Sequence, residues 1–238
     1  MNRFAMIFLK NIFRLPGVYA KLCHYAKHTD KYPEDEKYDH IRRMLKYALD
    51  SSNVELTVTG LENVPLEGGC LLMGNHQGMF DVIALGATTP RSLSIVYKKE
   101  LHNVPILKQV YACTKSFAMD REDVRQSLTV IQNVIAEVKQ GRAYVIFPEG
   151  TRSKTGNAMR EFHAGTFRTA IKAKVPVVPL AFIDCYKVLD QKGSAPMKAQ
   201  LHYLPPVMPE EFEGMKAAEL AALVQQRIAD AIAANVEP

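Results

Sequence analysis

The residue types able to do chemistry in this chain of 238 residues gather in two short segments. The first is Gly74-Asn75-His76-Gln77-Gly78-Met79-Phe80-Asp81, directly after the apolar run 70–73. An imidazole paired with a carboxylate makes a general base: the carboxylate takes the proton of one ring nitrogen, fixes the tautomer, and leaves the other nitrogen free to accept from a hydroxyl. On one continuous helix, residues five apart diverge by about 140°, so His76 and Asp81 meet only across a turn. Gly74 and Gly78 permit such a turn. The second segment is Phe147-Pro148-Glu149-Gly150-Thr151-Arg152-Ser153, after the apolar run 144–147. Its proline and glycine shape a tight turn that presents Glu149, which can accept from a hydroxyl, and Arg152, which can clamp phosphate oxygens through two parallel bonds.

Taken singly, each segment has a plainer reading. A histidine near an aspartate is commonly a loop hydrogen bond, and a charge pair on a turn is commonly solvated. Two other functional classes stay open from these residues. His76 and Asp81 could ligate a metal in a phosphoesterase whose basic residues grip phosphate, and a membrane-surface scaffold could keep the fold for binding lipid without catalysis. Residues 150–157 fall short of a phosphate loop, because five residues separate the glycines and Asn157 stands where a lysine is required.

Both segments leave buried β-prone runs, the edge at which α/β sheets collect ligand and catalytic groups. From Val54 onward such runs fall at 55–59, 70–73, 94–97, 116–119, 144–147 and 177–182. Helical patterns lie between them at 80–87, 105–112, 124–140 and 165–173. The alternation predicts an α/β fold, a mixed β-sheet flanked by helices. A further strand is expected at 200–203, and Leu220, Val224, Ile228 and Ile232 recur every four residues on a closing helix.

Before the alternation begins, residues 1–28 pattern as two short helices separated at Pro16 and Gly17. Arg3, Lys10 and Arg14 form one narrow stripe, with Phe4, Phe8, Leu9, Ile12 and Leu15 over much of the remainder. That pattern predicts an interfacial helix whose cations snorkel to headgroups, and Lys21, His24 and Lys27 repeat it on the second helix. A polar connector at 29–36 and a helix through about Asp50, with Tyr38, Ile41, Leu45 and Ala48 on one face, complete the N-terminal part. The expected division is a helical membrane-associating segment at 1–50 and a compact domain at 51–238.

Composition narrows the partners. A net charge of +5 suits an anionic surface or substrate, while the lack of zinc-finger spacing, RNA-recognition motif or basic block argues against nucleic acid. Cys23, Cys70, Cys113 and Cys185 are isolated, so free thiols, no metal and a reducing compartment are expected. No signal peptide is expected, since Lys10 and Arg14 break the apolar run and no small-residue cleavage site follows. Nor does any run approach spanning length.

Together the two motifs resemble the glycerolipid acyltransferases, specifically the 1-acyl-glycerol-3-phosphate (lysophosphatidate) acyltransferases, over about 54–182 in four ordered blocks. The first, 75–81, is similar to the family's N-H-x-x-x-x-D and implies that His76 and Asp81 are the catalytic dyad. The second runs from Lys98-Lys99-Glu100-Leu101 to Met119-Asp120-Arg121 and implies Lys98 and Arg121 as phosphate ligands, with Lys99 an adjacent candidate. The third, 147–153, implies Glu149 on the glycerol moiety and Arg152 on phosphate, with Gly150 and Thr151 in the same acceptor-binding turn. The fourth, 175–180, is implied on the acyl-binding side. Two positions depart from the pattern: His163 and Ala164 replace a lysine often seen before Gly165, and Val110 replaces a common glycine.

The resemblance implies acyl transfer from acyl-ACP or acyl-CoA to the sn-2 hydroxyl of 1-acyl-sn-glycerol 3-phosphate, giving phosphatidic acid, on the glycerolipid acyltransferase fold. No cofactor is expected. Attack is expected to be direct, because no G-x-S-x-G elbow is present and no cysteine adjoins the dyad in sequence. A glycerol-3-phosphate or other lysophospholipid acyltransferase would share the dyad. The expected location is peripheral, on the cytoplasmic face of the cell membrane and against anionic lipid.

Overall fold

The computed structural model describes residues 2–153 and 155–236. The chain opens with helices α1 (Arg3–Asn11), α2 (Leu15–Lys27) and α3 (Glu34–Asp50). There follow β1 (Val54–Thr59), β2 (Cys70–Gly74), α4 (Phe80–Thr88), β3 (Leu93–Lys98), α5 (Leu107–Cys113) and β4 (Phe117–Met119). The remainder is α6 (Val124–Lys139), β5 (Ala143–Ile146), α7 (Arg168–Ala173), β6 (Val177–Ile183), α8 (Tyr186–Leu189), β7 (Met197–Tyr203) and α9 (Ala217–Asn235). No helix among the described residues is long and apolar enough to cross a membrane.

The strands form one seven-stranded mixed sheet in the order β1-β7-β6-β2-β5-β3-β4. Strands β6, β2, β5, β3 and β4 run parallel to their neighbours in that series, so their C-terminal ends share one edge. Strand β7 pairs antiparallel with β6, and β1 lies parallel to β7. In the central strands side chains alternate between two buried faces. Leu71, Met73, Tyr144, Ile146, Val177 and Ala181 meet α6, α7 and α9 on one side. Cys70, Leu72, Ala143, Val145, Val178 and Leu180 meet α4, α8 and Tyr38 of α3 on the other. Burial on both faces is why these runs read as continuously apolar. The four-residue repeat of α9 closes the first face, where Leu220, Val224 and Ile228 are fully buried, each contributing roughly 1.5–3 kcal/mol.

The N-terminal helices are not a separate body. Tyr38 lies in the core shared with α4, Leu22, Tyr25 and Ile41 pack with Cys113 of α5, and Glu34 pairs with Arg142. The first helix ends at Asn11, earlier than the Pro16–Gly17 pair suggests. Pro16 sits instead in the first turn of α2, where its missing N–H has no helical partner to lose.

One expectation about α1 is overturned. Arg3 is buried, donating to backbone carbonyls of Val188 and Ala195, so it is neither a snorkelling cation nor a membrane-binding residue. Lys10 reaches Ser51 O, and Arg14 lies 5.0 Å over the Tyr47 ring. Lys10 and Arg14 make these contacts yet stay exposed, as do Phe4, Phe8, Leu9, Ile12 and Phe13. A helical pattern gives two faces, and tertiary contacts decide which of them is turned inward.

Candidate active site

The five shared strand ends place the motifs together. Strand β2 delivers residues 75–78, β5 delivers 147–153, β6 delivers 184–190, and β3 and β4 end at Lys98 and just before Arg121. The turn required between His76 and Asp81 is present: α4 begins at Phe80, which leaves His76 outside the helix and Asp81 in its first turn. His76 Nδ1 lies 2.7 Å from Asp81 Oδ2. The same oxygen accepts from the backbone N–H of Gln77 at 2.6 Å and of Gly78 at 3.0 Å. With those two amides aimed at it, Oδ2 is an acceptor, so Nδ1 carries the imidazole proton and Nε2 is the free base.

The dyad is held from three sides. The imidazole stacks on Phe147 with ring centroids 4.1 Å apart, and the Ser153 N–H donates to His76 O at 2.7 Å. Glu149 is 2% exposed; its Oε1 accepts from the His76 N–H at 2.7 Å and its Oε2 from the Arg160 N–H at 3.0 Å. Burial pushes the Glu149 carboxyl upward, against the two amide bonds that favour its charged form. With one amide bond to each oxygen, Glu149 braces the dyad turn against the 147–160 loop.

The cationic residues lie at the same strand-end edge. Arg152 is half-exposed and lies 3.3 Å from Asp190 Oδ1. Lys98 pairs with Glu100 at 3.0 Å, and Lys99 with Asp120; the bond to Asp120 raises the Lys99 ammonium above its ordinary value. Arg121 and His163 lie over Gly150, where an added Cβ would stand 3.9 Å from Arg121 Nε and 3.2 Å from His163 Nε2. Gly150 also has φ +70°, a conformation glycine adopts without strain. Thr151 is exposed beside it.

Several residues of the site were not singled out from sequence. Gln77 is buried; its Nε2 donates to Asn157 Oδ1 at 2.8 Å, and its Oε1 accepts from the Cys185 N–H at 2.9 Å. Asn157 and Asp184 are joined reciprocally, Nδ2 to Oδ1 and N–H to Oδ1, each at 2.9 Å. Only the place of Gln77 between the dyad residues signals its role; nothing local marks Asn157, Asp184 or Asp190. Among the described residues no group of three or more His, Cys, Asp or Glu side chains is placed to hold a metal ion.

This constellation coincides with a known sequence family. The model described as Acyltransferase matches residues 55–183, more than half of the chain. The chain belongs to the acyltransferase family. Relatives called 1-acyl-sn-glycerol-3-phosphate acyltransferase include that of Helicobacter pylori strain J99, 32% identical over 133 residues, which are 56% of this chain and 56% of that protein. That of Saccharomyces cerevisiae is 27% identical over 183 residues, 75% of this chain and 60% of that protein. That of Salmonella typhimurium is 29% identical over 168 residues, 68% of each chain. The first two matches thus span little more than half the length of those relatives. Among solved structures, the 1-acyl-sn-glycerophosphate (LPA) acyltransferase PlsC from Thermotoga maritima superposes with a TM-score of 0.78 at 18% identity, covering 99% of this chain and 98% of that one. At that identity the likeness establishes the acyltransferase fold. The dyad, the Glu149 brace and the cationic residues all lie at the strand-end edge of this fold.

Proposed function

We propose that this acyltransferase moves a fatty acyl group from a thioester, acyl-ACP or acyl-CoA, to the sn-2 hydroxyl of 1-acyl-sn-glycerol 3-phosphate, forming phosphatidic acid. The observation that carries the reading is the 2.7 Å contact between His76 Nδ1 and Asp81 Oδ2, which leaves Nε2 as a free base. The names of the relatives supply the acceptor class.

A thioester is already activated, so the demanding step is taking the proton of an alcohol. His76 Nε2 accepts that proton as the hydroxyl oxygen bonds to the thioester carbonyl carbon. The tetrahedral adduct then collapses, the carbon–sulfur bond breaks, and the leaving thiolate takes the proton back from His76. Arg152, Arg121 and Lys98 hold the phosphate, which fixes the sn-2 hydroxyl near the base and lowers the entropic barrier. Acceptor and product carry acyl chains, and the exposed apolar face of α1 is the seat by which the enzyme rests on anionic bilayer as a peripheral protein.

Thiol release by purified protein from acyl-CoA and from acyl-ACP, with lysophosphatidate in mixed micelles, tests this reading. Release should require lysophosphatidate and vanish in His76→Ala. Release that follows glycerol 3-phosphate instead would reassign the acceptor, and none with any pair would refute the assignment.

A further inference from the structure

Arg3 is a charge for which the proposed reaction has no use, and it is 2% exposed. Its guanidinium donates to Ala195 O at 2.5 Å and to Val188 O at 3.4 Å, and lies 3.1 Å from Met197 Sδ. Among the described residues no carboxylate pairs with it. A buried cation held by neutral carbonyls gains little stability over an apolar side chain of the same volume, so its use at this position points to a geometric task. The fork ties two backbone carbonyls of one segment to the first turn of α1 with an angular definition that apolar packing lacks.

The segment it grips also forms the back wall of the active site. Val188 belongs to α8, and both flanks of that short helix touch the dyad turn. On one flank the Cys185 N–H donates to Gln77 Oε1, and Gln77 gives its own N–H to Asp81 Oδ2. Asp184, next to Cys185, is locked to Asn157, which accepts from Gln77 Nε2. On the other flank Asp190 holds Arg152 through Oδ1, while its Oδ2 packs so closely on Gly78 that an added Cβ would stand 2.4 Å away. A displacement of α8 is therefore felt at Asp81 through Gln77 and Gly78, and at Arg152 through Asp190.

On its outer side α1 carries Phe4 and Phe8, exposed. We propose that Arg3 is a positioning residue coupling the seating of α1 to the active site: it fastens the helix to the 185–197 segment, and that segment sets the His76–Asp81 turn and the Arg152 guanidinium. The membrane side of this inference rests on the function proposed above.

The test compares wild type, Arg3→Met and Arg3→Lys. Readouts are co-sedimentation with phosphatidylcholine–phosphatidylglycerol vesicles, kcat and KM for lysophosphatidate in detergent micelles, and the low-field proton resonance of His76 Nδ1–H, assigned by its loss in His76→Ala. Arg3→Met should lower kcat about tenfold and shift or broaden that resonance, with vesicle binding held to within about twofold, and Arg3→Lys should recover part of the loss. An unmoved resonance with kcat within about twofold of wild type would overturn the proposal, as would loss of vesicle binding alone. If Arg3→Met does not fold, Arg3→Lys and hydrogen exchange of the wild type decide. Vesicle addition should slow exchange in the 184–190 peptide, and unchanged exchange there overturns the coupling. A wild type inactive on lysophosphatidate would end the proposed reaction, yet the resonance and exchange measurements would still judge Arg3.

Discussion

His76 and Asp81 meet at 2.7 Å although only four residues separate them, because the Asp81 oxygen that faces the imidazole also anchors the N–H groups of Gln77 and Gly78. One atom thus shapes the turn and orients the base. Asp81→Asn presents either an amide that cannot accept from Nδ1 or an oxygen with an amide group packed behind it. We expect kcat to fall about 10²–10⁴-fold, the range for a disabled general base. KM for the acceptor should move little, which steady-state kinetics in mixed micelles will check.

Glu149 distinguishes a brace from a ligand. Replacing it with Gln keeps one acceptor for the His76 or Arg160 N–H and sets an amide NH2 against the other, an unsatisfied buried contact costing about 1–3 kcal/mol. At about 2–4 °C per kcal/mol for a chain of this size, the melting temperature should fall by several degrees. Turnover should drop with it while KM for lysophosphatidate holds. A raised KM with unchanged stability and kcat would instead make Glu149 a glycerol ligand, as the family resemblance implies.

Arg152 behaves differently because it is exposed. Its pair with Asp190 is a surface salt bridge worth about 0–1 kcal/mol, so Arg152→Ala should leave the melting temperature nearly unchanged. The loss should appear in KM for lysophosphatidate, by about tenfold or more, and less in Arg152→Lys, which keeps the charge but not the fork. Added salt should narrow the gap between wild type and Arg152→Ala, as measured by KM at two ionic strengths.

The course of the chain was readable where one physical signal dominated. Strands β2, β5 and β6, buried on both faces, show as unbroken apolar runs, and the two motifs could be placed at their ends from that alone. The site's supports were not readable. Gln77, Asn157, Asp184 and Asp190 act through contacts between loops far apart in sequence, and no local pattern encodes those. Arg3 misled for a related reason: periodicity separates the cationic stripe of α1 from its apolar face but does not say which face the domain will cover. The motif marks Glu149 as a carboxylate on the turn, yet only the structure shows the two backbone amides bonded to its oxygens.

Stability should depend on acid through two buried histidines. Burial lowers His202, which lies between Thr59 and Gln200, and lowers His40, partly offset by its bond to Val18 O. Unfolded histidines titrate near 6.5, so below that value the unfolded chain binds more protons than the folded one, and stability falls as pH drops toward the folded-state values. Each group contributes at most about 1.4 kcal/mol per pH unit in that window. Thermal melts between pH 7.5 and 5.5 should show the decline, and His202→Gln should flatten it; an unchanged slope would place the acid sensitivity elsewhere.

The exposed face of α1 makes the membrane reading quantitative. Phe8 is 50% and Phe13 98% exposed, so replacing either with Ser should cost the fold little. If they enter the bilayer interface, each loses up to roughly 1.5–3 kcal/mol of burial, and partitioning should fall about ten- to hundredfold per residue. Lys10, Arg14, Lys21 and Lys27 are all exposed, so removing any of them should weaken binding to anionic vesicles. Co-sedimentation across a series of phosphatidylglycerol contents separates the two contributions. The phenylalanine losses should persist on neutral vesicles and the lysine losses should not, because apolar burial is indifferent to lipid charge while attraction to headgroups depends on it.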